Sequence, residues 1–148
     1  MAELWKLWKN CLLGKLEEVK GALQQGGDPN TTGGPDNSSC LMVAVTMNFD
    51  KVVALLLAHP NIQVNAKDDD NEAALHFACV NGSLASLSKL LAAPGLQLNE
   101  RNVNGCTPIM LVMYNGKTEA VLQMAALREV DLDVKDRLGR SLEEFANR

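Results

Sequence analysis

The sequence predicts an all-α solenoid of stacked helix–turn–helix units, and three observations predict it. The chain repeats itself with a period of 34 residues. Each copy carries two short apolar-periodic segments, and neither could bury its apolar face alone. Hydrophobic residues make up 47% of the chain but aromatic residues only 4%. Leu, Ala, Val and Met carry the apolar load, a mix that suits small helices packed on one another better than a sheet sandwich.

The first element is N-terminal. In MAELWKLWKNCLLGKLEEVKGAL, Leu4, Trp5, Trp8, Leu12, Leu16, Val19 and Leu23 recur at helical spacing. This predicts a helix that caps the core, within a cap spanning 1–33. A membrane-surface helix is the alternative. The segment has no continuous apolar run of the signal-peptide kind, and Glu3, Glu17 and Glu18 argue against a transit peptide.

Three full units follow, at 34–67, 68–101 and 102–135. CLMVAVTMNFDKVVALLLAHPNIQVNAKD from Cys40 aligns with ALHFACVNGSLASLSKLLAAPGLQLNERN from Ala74 and PIMLVMYNGKTEAVLQMAALREVDLDVKD from Pro108. Leu41, Leu75 and Ile109 coincide, as do Ala44, Ala78 and Val112. So do Val53, Leu87 and Val121; Leu56, Leu90 and Met124; Val64, Leu98 and Leu132; and Asp68, Asn102 and Asp136. In the middle unit the first helical segment is Leu75 to Val80 and the second is Leu84 to Ala92, parted by a turn at Asn81-Gly82. The last stretch, 136–148, is a partial C-terminal cap.

Charge and composition exclude several functions. The net charge is -4 with no Lys/Arg cluster, which argues against nucleic acid as a partner. No apolar run approaches the ~18 residues of a membrane span. Cys11, Cys40, Cys79 and Cys106 show no disulfide spacing and no CxxC pair. They read as reduced thiols of a cytoplasmic protein, with the nucleus also open to it. The Asn37-Ser38-Ser39 sequon therefore carries little weight.

NGCTPIMLVMYNGKTEAVLQM resembles the G-x-TPLH-x-A…G-H-L-E-V-V-x-L-L pattern of the ankyrin repeat. NIQVNAKDDDN and LQLNERNVNG resemble that family's D-V-N-A-x-D-x-x-G turn. The likeness covers the whole chain, with the unit lengthened by one residue near His59-Pro60-Asn61 and Pro94-Gly95. It implies a solenoid with β-hairpin-like finger loops and a concave face. It also implies a protein-interaction module that acts as a monomer and needs no cofactor.

Carried over by position, the exposed tips are Pro35, Asp36 and Ser38, then Asp69, Asp70 and Glu72, then Val103, Asn104 and Cys106. The matching first-helix ends are Thr46/Met47, Val80/Asn81 and Tyr114/Asn115, and Lys67, Arg101 and Lys135 precede the fingers. Met47, Val80 and Tyr114 are expected to form an apolar line suited to a partner surface. Asp68-Asp69-Asp70 reads as a solvated turn, because Glu72 stands where a calcium loop needs glycine. Asn65 and Asn99 sit where ankyrin proteins can be asparagine-hydroxylated, although a role in the turn explains them.

Departures from the pattern point to a second function. Only the third unit keeps Thr107-Pro108; Cys40 replaces the first proline and Ala73-Ala74 the second Thr-Pro. Ser83, Ala85, Ser86 and Ser88 are small for their places. Together these read as local trimming, such as an engineered ankyrin scaffold would carry. Cys40 is placed in the first turn of a helix, where free N–H groups lower a thiol's pKa and could hold an oxyanion. His76 lies one repeat and two places further along, and repeats stack roughly 10 Å apart. A Cys40–His76 dyad for ester hydrolysis is therefore the alternative to a binding module. His76 and Cys79, three apart in DNEAALHFACVNGS, do not make a metal site, because no ligand quartet surrounds them and Cys79 falls in phase with core positions. His59, at a helix end, sits where a cation is favoured.

Overall fold

The structure is a computed structural model and describes residues 5–147, so Glu3 and Leu4 lie outside it. The N-terminal cap is a pair of helices rather than one: α1 (Lys6–Leu12) and α2 (Leu16–Gln24). Gly14 breaks them by entering the left-handed region at φ 67°, where a side chain is disfavoured. The amide of Leu16 then donates to the Gly14 carbonyl at 3.0 Å and starts α2.

The same device recurs in phase. Next come α3 (Cys40–Thr46) and α4 (Asp50–Leu57), then α5 (Ala74–Val80) and α6 (Leu84–Leu91), then α7 (Pro108–Tyr114) and α8 (Thr118–Ala125), and last α9 (Leu142–Ala146). Asn48 at φ 60° and Gly116 at φ 65° turn the first and third repeats as Gly14 turns the cap. The middle repeat departs. Ser83 takes an extended conformation and its Oγ accepts from the Ser86 amide at 3.0 Å, capping α6. Lys15, Phe49 and Lys117 hold the same place elsewhere and make no such cap.

First helices pack in one row, α1 on α3 on α5 on α7 on α9, and second helices in another, α2 on α4 on α6 on α8. The core runs between the rows in layers one period apart. Leu7, Leu41, Leu75 and Ile109 form one layer; Cys11, Val45 and Cys79 form another; and Leu56, Leu90 and Met124 a third, all buried. Removing this apolar surface from water is the main drive for stacking.

Finger loops join the units. In the first, β1 (Thr32–Gly33) pairs antiparallel with β2 (Ser38–Ser39) in the register Thr32 to Ser39 and Gly33 to Ser38. In the other fingers Asp68, Asn102 and Asp136 clamp the turn, each side-chain Oδ1 accepting two amides: from Asp70 and Glu72, from Asn104 and Cys106, and from Leu138 and Arg140. Asp68 is thus committed to its own backbone, as expected for a structural turn. Adjacent fingers are joined through main-chain atoms: Asp69 N to Asp36 O at 3.0 Å, Val103 N to Asp70 O at 3.0 Å, and Arg137 N to Asn104 O at 3.3 Å.

Candidate interaction surface

Under the fingers runs a row of side chains at the third position of α3, α5, α7 and α9. Each accepts the amide of the residue that caps its own helix. Met42 Sδ takes Ser39 N–H at 3.3 Å, His76 Nδ1 takes Ala73 N–H at 3.1 Å, Met110 Sδ takes Thr107 N–H at 3.4 Å, and Glu144 Oε2 takes Ser141 N–H at 2.6 Å. His76 is fully buried in this row. Its Nε2 lies 2.9 Å from the Glu100 carbonyl, which can only accept, so Nε2 carries the proton. Burial lowers the ring's pKa, so the neutral form is held.

The expected Cys40–His76 dyad is therefore not assembled. Both ring nitrogens are committed to backbone, and neither has a lone pair left for a thiol proton. Cys40 is fully buried. The neighbouring Cys11 thiol, then burial, push its own thiol's pKa upward, the reverse of what an N-terminal helix turn predicts. Its amide is taken by the Thr31 carbonyl at 3.1 Å. Cys79 is a core residue, with its thiol 3.5 Å from Met124 Sδ. Burial also raises the Cys79 and Cys106 thiols. The small serines serve packing rather than a substrate: Ser83 and Ser86 both donate to Asp50 Oδ1, at 2.7 and 2.5 Å, across the α4–α6 contact. His59 Nδ1 accepts the Asn61 amide at 3.1 Å. Among the described residues, no cluster of three or more His, Cys, Asp or Glu could hold a metal ion.

The tips are more varied than the sequence implied. Asp36, Asp69, Asp70, Val103 and Asn104 are exposed, but Ser38 and Glu72 are half-buried. Cys106 is buried, because its amide is drawn in to Asn102 Oδ1 at 2.9 Å. Several of these groups also bind neighbouring fingers. Asn37 Nδ2 donates to the Asp69 carboxylate at 3.0 and 3.1 Å, and Asn102 Nδ2 to Glu72 Oε1 at 2.8 Å. Lys67 pairs with Glu100, and the Arg101 guanidinium donates to the Gly105 and Lys135 carbonyls. Lys67 and Arg101 thus hold the stack together whatever else they contact.

On the helix ends, Met47 and Tyr114 are exposed, Val80 is half-buried, and Asn81 and Asn115 are exposed. Asn115 Nδ2 donates back to the Leu111 carbonyl at 2.7 Å. Tyr114 meets Phe145 edge-on with centroids 6.1 Å apart, and Arg140 lies 5.2 Å from the Phe145 ring. These three line a cleft of about 340 Å³ with Asn104, Leu111, Arg137 and Leu138 at the C-terminal end. The fourth finger presents a tip of its own. One more step of 34 from Val103 and Asn104 reaches Arg137 and Leu138, so the signal was present.

A family model described as ankyrin repeats, in three copies, matches residues 7–102. The chain is an ankyrin-repeat protein. The match begins inside the N-terminal helix pair, in keeping with a cap built like a repeat. Ankyrin repeats are generally protein–protein interaction modules, so this ankyrin chain is read first for the surface it offers a protein. No curated protein matches it. No helix among its described residues is long and apolar enough to cross a membrane.

Proposed function

We propose that this ankyrin array binds a protein partner across its fingertips and the exposed ends of its first helices. Met47, Val80 and Tyr114 supply apolar contact. Asp36, Ser38, Asp69, Asp70, Glu72, Val103 and Asn104 supply the tips, Asn81 and Asn115 hydrogen bonds, and Lys67 and Arg101 charge beside the fingers. The module is read as a monomer of the cytoplasm or nucleus that takes no cofactor, nucleic acid or membrane.

One observation carries this reading. Met47 is 47%, Val103 42% and Tyr114 54% exposed, although the layers beneath them are closed. Large apolar side chains left in water at the tips and first-helix ends suit a partner surface, with Leu13, Leu84, Leu122 and Leu132 exposed elsewhere on the stack. The test is selection of a displayed random peptide library on the intact chain. Selected peptides should lose about tenfold or more in affinity on Met47→Arg or Val103→Arg. A selection that yields no binder, or only binders indifferent to both changes, overturns the reading.

A further inference from the structure

The four fingertips form a charge series. The first presents Pro35 and Asp36, the second Asp69 and Asp70, the third Val103 and Asn104, and the fourth Arg137 and Leu138. All of these are exposed. Among the described residues, Asp36, Asp70 and Arg137 form no ion pair, and the hydrogen bonds to the Asp69 carboxylate come from the uncharged Asn37 amide. The helix ends behind the tips are uncharged: Thr46 and Met47, Val80 and Asn81, Tyr114 and Asn115. The tips themselves are therefore acidic on the first two fingers, uncharged on the third and cationic on the fourth, while beside them Lys67 is paired with Glu100 and Arg101 donates to carbonyls.

At the cationic end the surface deepens. The cleft of about 340 Å³ between the third and fourth fingers is lined by Arg137, Tyr114, Leu138 and Phe145, and by Asp136, whose carboxylate is already paired with Arg140. Such a recess takes one apolar side chain beside a carboxylate, whereas Asp36, Asp69 and Asp70 act by field.

We infer that the partner is a peptide segment of opposite polarity: Lys or Arg against Asp36, Asp69 and Asp70, and a large apolar residue next to Asp or Glu against the cleft and Arg137. This rests on the interaction-module reading and adds the partner's chemistry and its direction along the groove. The second and fourth fingers lie two repeat steps apart, roughly 20 Å. That spacing is spanned by about six residues of extended chain. Reversed polarity would set like charges against each other at both ends, so the series selects orientation as well as sequence.

The experiment uses the same displayed-peptide selection on the intact chain. Peptides that depend on Met47 or Val103 should be enriched in Lys/Arg in one half and in Leu, Phe or Trp with Asp/Glu in the other. A fluorescein-labelled copy of the most enriched peptide should lose about tenfold in affinity on Asp36→Lys/Asp70→Lys and again on Arg137→Glu. A copy with its end charges exchanged should recover binding to the triple variant. The tips are exposed, so thermal melts of these variants should match the parent. Groove-dependent peptides with no charge bias would overturn this inference and leave the interaction-module reading standing. No groove-dependent peptide at all would overturn both. Dimerisation of the chain alone, abolished by Arg137→Glu in sedimentation, would assign the surface to a second copy and overturn a peptide partner.

Discussion

His76 Nε2 donates to the Glu100 carbonyl at 2.9 Å while its Nδ1 accepts the Ala73 amide at 3.1 Å, so one buried ring joins the second repeat to the segment that leads into the third finger. His76→Ala would leave both backbone groups unpaired and open a void. A loss of about 3 kcal/mol is expected in denaturant unfolding. His76→Met copies Met42 and Met110, keeps the acceptor for the Ala73 amide and should cost roughly half as much. Equal losses would mean that the acceptor and the filled volume contribute nothing and that the whole effect belongs to the Nε2–Glu100 bond.

The same ring sets a pH response. Its folded pKa lies below the ordinary 6.5 because of burial. The unfolded chain therefore binds the proton more readily, and stability falls as pH drops below about 6.5. Above that value the contribution is complete. Melting temperature followed from pH 8 downward should begin to fall near there in the parent and stay flatter in His76→Met.

Ala73 caps α5 in the extended conformation that Ser39 has at α3. Ser39 Oγ accepts the Met42 amide at 3.2 Å; alanine has no side-chain acceptor, and the His76 amide goes to the Ala73 carbonyl at 3.0 Å instead. Ala73→Ser should stabilise the chain by about 1 kcal/mol. A melting temperature unchanged or lowered would show that the buried hydroxyl finds no partner.

Asp50 receives the hydroxyls of Ser86 and Ser83, which hold its carboxyl below the ordinary 3.8. Its contribution is therefore present above that pH and is lost as pH falls through the folded value. Asp50→Asn and Ser86→Ala should each cost about 1 kcal/mol. A double-mutant cycle should return a coupling between them; strict additivity would remove the clamp.

All four cysteines are free and buried. In the native protein each should react slowly with an aromatic disulfide reagent near neutral pH, and all should react once denaturant is added. Fast native labelling of Cys40, lost in Cys40→Ala, would restore the thiol-hydrolase reading.

Helix positions in the three aligned repeats were legible because the 34-residue step is carried by core residues, which tolerate little change. Cys40, Ala74 and Pro108, where the repeats align, are also where α3, α5 and α7 begin. The cap was harder. Trp8, Leu12, Leu16, Val19 and Leu23 keep helical spacing straight through Gly14, so apolar period alone cannot see the turn. The dyad failed for a different reason. A one-repeat offset brings positions near each other but does not tell which atoms are already spent. His76 was claimed by backbone groups that carry no sequence signature. Likewise, Cys106 looked exposed by analogy with a tip until Asn102 drew its amide inward.

Neighbouring fingers touch through the Asp69, Val103 and Arg137 amides and the carbonyls of Asp36, Asp70 and Asn104. These links belong to the peptide unit, so most replacements at the tips leave them intact. Proline at 69, 103 or 137 is the exception, because it would remove the donor. The assembly thus separates what must be inherited unchanged from what is free to drift. New residues at 36, 70, 103 or 104 can redirect recognition, by descent or by grafting, without renegotiating how one repeat sits on the next, whereas Asp69 and Glu72 also bind the adjoining fingers through Asn37 and Asn102.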